Sequence, residues 1–228
     1  MTERRDGRAD RDGHGDRDGG RVLHELVEAH GETFAEEAGI TLKDTPQPLY
    51  RLLVLAVLLS ARIRGSVGVA AARELAEAGL RDPRRMADAD WQERVDALGR
   101  GGYRRYDERT ATQLGEGAEL VLDRWGGDLR RMHQEADGDV SALRDLLQEV
   151  PGLGPAGADI FLREVQDVWP EPAPYLDAKA LSGAERLGLP KDPGRLVDLA
   201  GDTPPAHLAA ALVRAALDKK IADSVASG

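Results

Sequence analysis

Residues Leu146–Leu162 read LLQEVPGLGPAGADIFL. Apolar residues recur at helical spacing before the break, at Leu146, Leu147 and Val150. They recur again after it, at Ala158, Ile160, Phe161 and Leu162. Between them Pro151-Gly152-Leu153-Gly154-Pro155 stops one helix and opens another, and the two glycines permit positive φ. The segment therefore predicts helix, five-residue hairpin, helix. Amides at the mouth of the second helix lack intrahelical acceptors and sit at the positive end of its macrodipole, which suits one phosphate without any lysine or arginine. On the pentapeptide alone, a plain connection between two helices fits equally well.

Working outward, the same periodicity predicts an all-α chain. An amphipathic helix covers Arg21 to Ala38 through Val22, Leu23, Leu26, Val27 and Phe34. Thr45 caps a helix starting near Pro46, whose residues Leu49 to Leu59 are apolar nearly all round and mark a core helix. Gly65 and Gly68 predict a turn before a helix over Val69–Ala78, and Asp82-Pro83 predicts another break. Asp88 or Asp90 caps a short helix bearing Trp91, and Gly99 to Tyr103 form a turn. A long helix then runs from about Tyr106 to Trp125 and ends at Gly126-Gly127. Trp91 and Trp125 are assigned to packing. Ser141 caps Ala142–Val150. After the hairpin, Pro170, Pro172 and Pro174 force an extended loop up to Asp177, and further helices lie around Leu187, Leu196–Leu199 and Pro205–Ala222.

Composition narrows the function classes. Of 228 residues 41% are hydrophobic and 4% aromatic, enough for a core in a helical chain. The longest apolar run, Leu52–Leu59, falls well short of the roughly 20 residues that span a bilayer. The first residues develop no apolar signal segment, and a cytoplasmic protein is expected, nucleoid-associated if bacterial. With no cysteine, disulfides, cysteine-ligated zinc and an iron–sulfur cluster are excluded. A net charge of −10 argues against a nucleic-acid partner. Backbone donors at a hairpin soften that objection, because no formal charge records them. Residues 1–20, almost pure Arg, Asp and Gly, are expected to be a disordered tail with His14 solvated.

Three segments in order carry a resemblance: LLVLAVLLSAR (Leu52–Arg62), LGRGGYRRYDERTATQL (Leu98–Leu114), and VPGLGPAGADIFL (Val150–Leu162) followed by PYLDAKAL (Pro174–Leu181). Together they resemble the helix-hairpin-helix (HhH-GPD) DNA glycosylase superfamily, the group of endonuclease III and the adenine glycosylase, over about Pro46 to Leu187. The resemblance implies a two-lobed helical fold with a cleft between the lobes. Residues 21–45 would pack with the C-terminal lobe, 46–168 would form the central domain ending in the hairpin, and 169–228 would complete the second lobe. It implies a base-excision repair enzyme that hydrolyses the N-glycosidic bond of a damaged or mismatched base flipped out of duplex DNA, acting as a monomer.

Asp177 falls on the family's catalytic aspartate, a role compatible with capping the helix that follows. Gly152, Leu153, Gly154 and Ala156 fall on the DNA-gripping hairpin, with a monovalent cation implied at its carbonyls near Val150 and Gly152. Arg62 matches the residue that fills the gap left by an extruded nucleotide. Arg64, Arg104 and Arg105 would join it on a basic face with Arg100, turned away from the acids Glu116, Glu119, Asp123, Glu135, Asp137 and Asp139. Tyr103, Trp169, Tyr175 and Lys179 are candidates for the base pocket.

The departures are specific. Ala156 stands where lyase-active members place a lysine, which implies a monofunctional enzyme without β-lyase activity. The loop at Glu171–Pro174 is longer than the family's, and the cluster-binding cysteines are absent. The alternatives are a catalytically silent DNA-binding or lesion-sensing protein, and a helical protein-interaction scaffold.

Overall fold

A computed structural model describes residues 9–226, with side chains from 18 to 225. The tail expected over 1–20 lies outside the described residues for 1–8, and so does the side chain of His14. Among the described residues all regular structure is helical. In chain order the helices are α1 (Ala9–His30), α2 (Phe34–Glu37), α3 (Pro46–Ser60), α4 (Gly65–Glu77), α5 (Pro83–Asp88), α6 (Trp91–Arg100), α7 (Asp107–Trp125), α8 (Leu129–Glu135), α9 (Val140–Gln148) and α10 (Gly154–Val165). After a loop come α11 (Ala178–Arg186), α12 (Pro193–Ala200), α13 (Pro205–Leu217) and α14 (Lys219–Ala226).

The chain divides into two compact units, one of residues 1–33 with 174–228 and one of residues 34–173. These divisions differ from boundaries at 45/46 and 168/169, because α2 and the loop after α10 belong to the larger unit. The reason for α2 is a buried carboxylate. Glu164 on α10 accepts from the amides of Phe34 (3.3 Å) and Ala35 (2.8 Å), taking up donors at the start of α2.

The larger unit is organised on α3. Its residues Leu52 to Leu58 are buried, and α4 and α10 pack against it. Buried Arg94 donates to Ala111 O (2.8 Å), Met86 O (2.9 Å) and Ala89 O (2.7 Å), tying α6 to the end of α5 and to α7. The smaller unit gathers α1, α11, α12 and α14 around α13, whose residues Leu208 to Val213 are all buried.

Five local expectations are corrected. Helix α1 begins at Ala9, not near Arg21. Arg21 pairs with Asp18 and Glu25 at three- and four-residue spacing, and a side chain on Gly19 would touch Leu189 and Leu199. Composition hid a charge pattern that suits a helix. Gly65 and Gly68 lie inside α4, where a Cβ on Gly68 would stand 3.0 Å from Leu59 Cδ2; small residues let this helix approach α3. Asp82-Pro83 starts a helix, with Asp82 accepting from Arg85 N, and Asp139 rather than Ser141 caps α9. Trp91 is 41% exposed and donates from Nε1 to Thr112 Oγ1 at 3.1 Å, so it is not a packing residue.

Candidate functional site

Past Gln148 the chain turns through Leu153 N donating to Val150 O (3.1 Å), and α10 opens as Gly157 N donates to Leu153 O (3.0 Å). Gly152 and Gly154 have φ of +86° and +56°, in the left-handed region that other residues enter at a cost. The amides of Gly152, Gly154 and Ala156 make no hydrogen bond among the described residues. With Ala156 exposed, three unsatisfied donors cluster at a helix N-terminus, where an anion is favoured.

The hairpin is held from outside itself. Ser60 Oγ, at the end of α3, donates to Val57 O (2.7 Å) and leans on Gly152 O (3.2 Å). A Cβ on Gly152 would meet Gln113 Oε1 at 2.9 Å and Val57 Cγ1 at 3.2 Å, whereas one on Gly154 would enter open space. Gly152→Ala is therefore expected to lose about 2 kcal/mol from backbone strain plus displacement of Gln113, against about 1 kcal/mol for Gly154→Ala. Urea midpoints of the two variants check this, and equal losses would contradict it. Leu153, expected at the interface, instead buries its side chain, so the apolar group anchors the hairpin and only backbone faces outward. The carbonyls of Val150 and Gly152 each already accept one hydrogen bond. Each keeps a second lone pair, which is what a cation there would use.

Beside Gly152 lies a cavity of about 500 Å³. The end of α3 supplies Ser60 and Arg62, α7 with its cap supplies Tyr106, Arg109 and Gln113, and the end of α9 supplies Gln148 and Glu149. A second cavity of about 650 Å³ shares Arg62 and Tyr103 with the first and adds Arg64, Arg104 and Arg105. Residues far apart in the chain thus meet, as the expected basic face requires. Arg62, Arg64, Arg104, Arg105 and Arg109 form no salt bridge among the described residues, and Arg105 lies 5.3 Å over the Tyr106 ring. Arg100 is withdrawn from that face by Glu74 at 3.0 Å. The carboxylate in the linings is Glu149, which pairs with Arg124. Glu116, Glu119, Asp123, Glu135, Asp137 and Asp139 line neither cavity. The two linings thus hold five arginines and one carboxylate, in a chain whose overall balance is acidic.

Tyr103 is buried between the two cavities and accepts from Thr110 Oγ1 at 3.3 Å. Burial pushes its phenol up, and the Thr110 bond offsets part of that. Trp169 is corrected as a base-pocket residue. It is 1% exposed, donates from Nε1 to Asp44 Oδ1 at 2.9 Å, and stacks on His133 at 4.2 Å with a tilted contact to Phe161. Both its polar atom and its faces are occupied. Tyr175 is half-buried and Lys179 exposed, and both belong to the smaller unit, as does Asp177. Asp177 caps α11, its Oδ1 accepting from Ala180 N at 3.1 Å.

Sequence reasoning placed Tyr106 with Tyr103, Arg104 and Arg105 in a small basic-aromatic patch but missed Arg109 and Gln113. Tyr106, Arg109 and Gln113 sit at spacings of three and four inside the quoted segment Leu98–Leu114, on one face of α7 and its cap. Helical spacing alone was signal enough to pair them. The loop carrying Arg62 and Arg64 follows α3 directly, so its position comes with the core helix.

Among the described residues, no helix is long and apolar enough to cross a membrane. No group of three or more His, Cys, Asp or Glu side chains among them is placed to hold a metal ion. No family model matches the chain, and no curated protein matches it. Among solved structures it is similar to a trapped endonuclease III–DNA covalent intermediate in an estranged-adenine complex. The TM-score is 0.45 at 20% identity, over 71% of this chain and 70% of that one.

Proposed function

We propose that this protein binds duplex DNA at the hairpin and the arginine-lined cavities, and that it is a monofunctional base-excision glycosylase. The observation that carries DNA binding is the grouping of free amides at Gly152, Gly154 and Ala156 with arginines that no carboxylate neutralises. Phosphates are the matching ligand for both kinds of donor. Arg62 supports the partner of an extruded nucleotide, because its planar guanidinium can both stack and donate.

The reaction is carried by Asp177 on the resemblance of PYLDAKAL to the family's catalytic segment. As the bond from C1′ to the base nitrogen breaks, positive charge grows on the sugar and a carboxylate stabilises it. Asp177 then takes a proton from water as the water oxygen bonds to C1′, while the departing base leaves with the bonding pair and takes a proton from solvent, to which Asp177 returns its own. The methyl of Ala156 offers no amine for a Schiff base, so the product is an intact strand with an abasic site. Incubation with duplexes each bearing one damaged or mismatched base, followed by alkaline cleavage, tests this. Release of no base from folded protein would overturn catalysis.

The engagement of Asp177 as a helix cap favours a second reading, a silent lesion-binding protein. That reading gives tight binding to a lesion duplex and no release. Either way, affinity is expected to fall steeply as salt rises. The slope of log K against log salt should flatten by about two units in Arg104→Ala/Arg105→Ala, about one for each phosphate that is no longer neutralised. A slope unchanged by this pair would remove them from the interface.

A further inference from the structure

Most polar groups lining the 500 Å³ cavity are already engaged within the protein. Ser60 Oγ serves Val57 O and Gly152 O, Gln148 Nε2 donates to Arg144 O at 3.1 Å, Glu149 pairs with Arg124, and Thr110 holds Tyr103. Gln113 is different. Its amide is half-buried, makes no hydrogen bond among the described residues, and stands over Gly152 where any side chain at 152 would displace it. An amide on the wall of an open cavity, with no partner in the protein, is available to a ligand.

We propose that Gln113 is a specificity-determining residue whose amide reads the edge of an extruded nucleobase, selecting a lactam edge in which N–H stands beside C=O. This rests on the DNA-binding reading above. The amide presents an acceptor, Oε1, next to a donor, Nε2, and a lactam presents the complementary pair in one plane. Around it the guanidinium groups of Arg62 and Arg109 and the free amides of Gly152 and Gly154 add donors that outnumber the acceptors, with the Tyr106 hydroxyl able to serve as either. An acceptor-rich base is therefore favoured over one that adds an exocyclic amino group. Deamination creates this edge, since it replaces the amino group of cytosine or adenine by a carbonyl and leaves the adjacent ring nitrogen protonated. The cavity volume suffices for a base with part of its sugar.

The test uses the full chain in an Asp177→Asn background, so that bound base is retained. Fluorescence anisotropy compares two duplexes, one with uracil opposite guanine and one with a tetrahydrofuran abasic analogue at the same place. Gln113→Met, which keeps the length of the side chain without the amide, is expected to weaken uracil-duplex binding about tenfold and to leave abasic-duplex binding within about twofold. Gln113→Glu, which loses the donor and adds charge among bases and phosphates, should weaken the uracil duplex at least as much. Equal loss on both duplexes would make Gln113 only a prop for the hairpin and overturn the proposal, as would no loss on either. Failure of the parent protein to bind either of these duplexes would instead sink the DNA-binding reading, and this inference with it.

Discussion

Asp177→Asn is expected to slow base release by about a hundredfold or more, with the thermal midpoint moved by no more than about 2 °C. The two halves of this expectation come from the cap that the structure shows and the catalytic role proposed above. As a helix cap, Asp177 supplies an oxygen to Ala180 N at 3.1 Å. The amide oxygen of Asn supplies the same acceptor, and the two residues are about equally good caps. As a catalytic group, it must face positive charge on the sugar and accept a proton from water, and a neutral amide does neither. Single-turnover release against the preferred lesion, with circular dichroism melts of the same preparation, separates the roles. Release that survives in Asp177→Asn would reduce Asp177 to its cap. Asp177→Ala should show the catalytic loss together with roughly 1 kcal/mol of destabilisation, because the cap goes as well.

The largest effect on stability is expected at Gly183, which is far less conspicuous in the sequence. A Cβ there would stand 1.9 Å from Leu212 O and 2.8 Å from Leu212 C, so helices α11 and α13 touch backbone to backbone. Neither neighbour is a flexible side chain that can move aside. Gly183→Ala must push the helices apart and open gaps around Ala180, Ala184, Leu208 and Ala209, all of which are buried. We expect a loss of about 3 kcal/mol for alanine and more for valine, a large part of the roughly 5–15 kcal/mol that holds an ordinary domain together. Urea denaturation followed by far-ultraviolet circular dichroism measures it. A loss under about 0.5 kcal/mol for Gly183→Ala would mean that the two helices separate without cost.

These two positions also show how legible the molecule is from its sequence. Asp177 was readable twice over, as a carboxylate ahead of a helix and as part of a segment resembling a catalytic one. Gly183 was not, because helix periodicity says nothing of what a residue touches on another helix. The same limit explains Gly65 and Gly68, which read as turn formers and prove to be sites of close approach to α3. It explains Trp169 as well. An aromatic near the segment that resembles a catalytic one reads as a stacking platform until Asp44 and His133, distant in sequence, are seen to occupy its polar edge and its face.

Around the hairpin, the local elements were decided by the sequence alone. Apolar spacing at 3.6 residues, proline and glycine breaks, and the pair of glycines at 152 and 154 dictate helix, hairpin and helix through interactions within a few residues of one another. What only the tertiary structure decided is which side chains end up without partners. Arg100 and Arg104 are equivalent in the sequence, yet one meets Glu74 and the other faces a cavity free of carboxylates. Gln113 is one glutamine among several until Gly152 is folded beneath it. Whether a charge or an amide is satisfied depends on neighbours brought in by packing from far along the chain, and that is information no local pattern of residues contains.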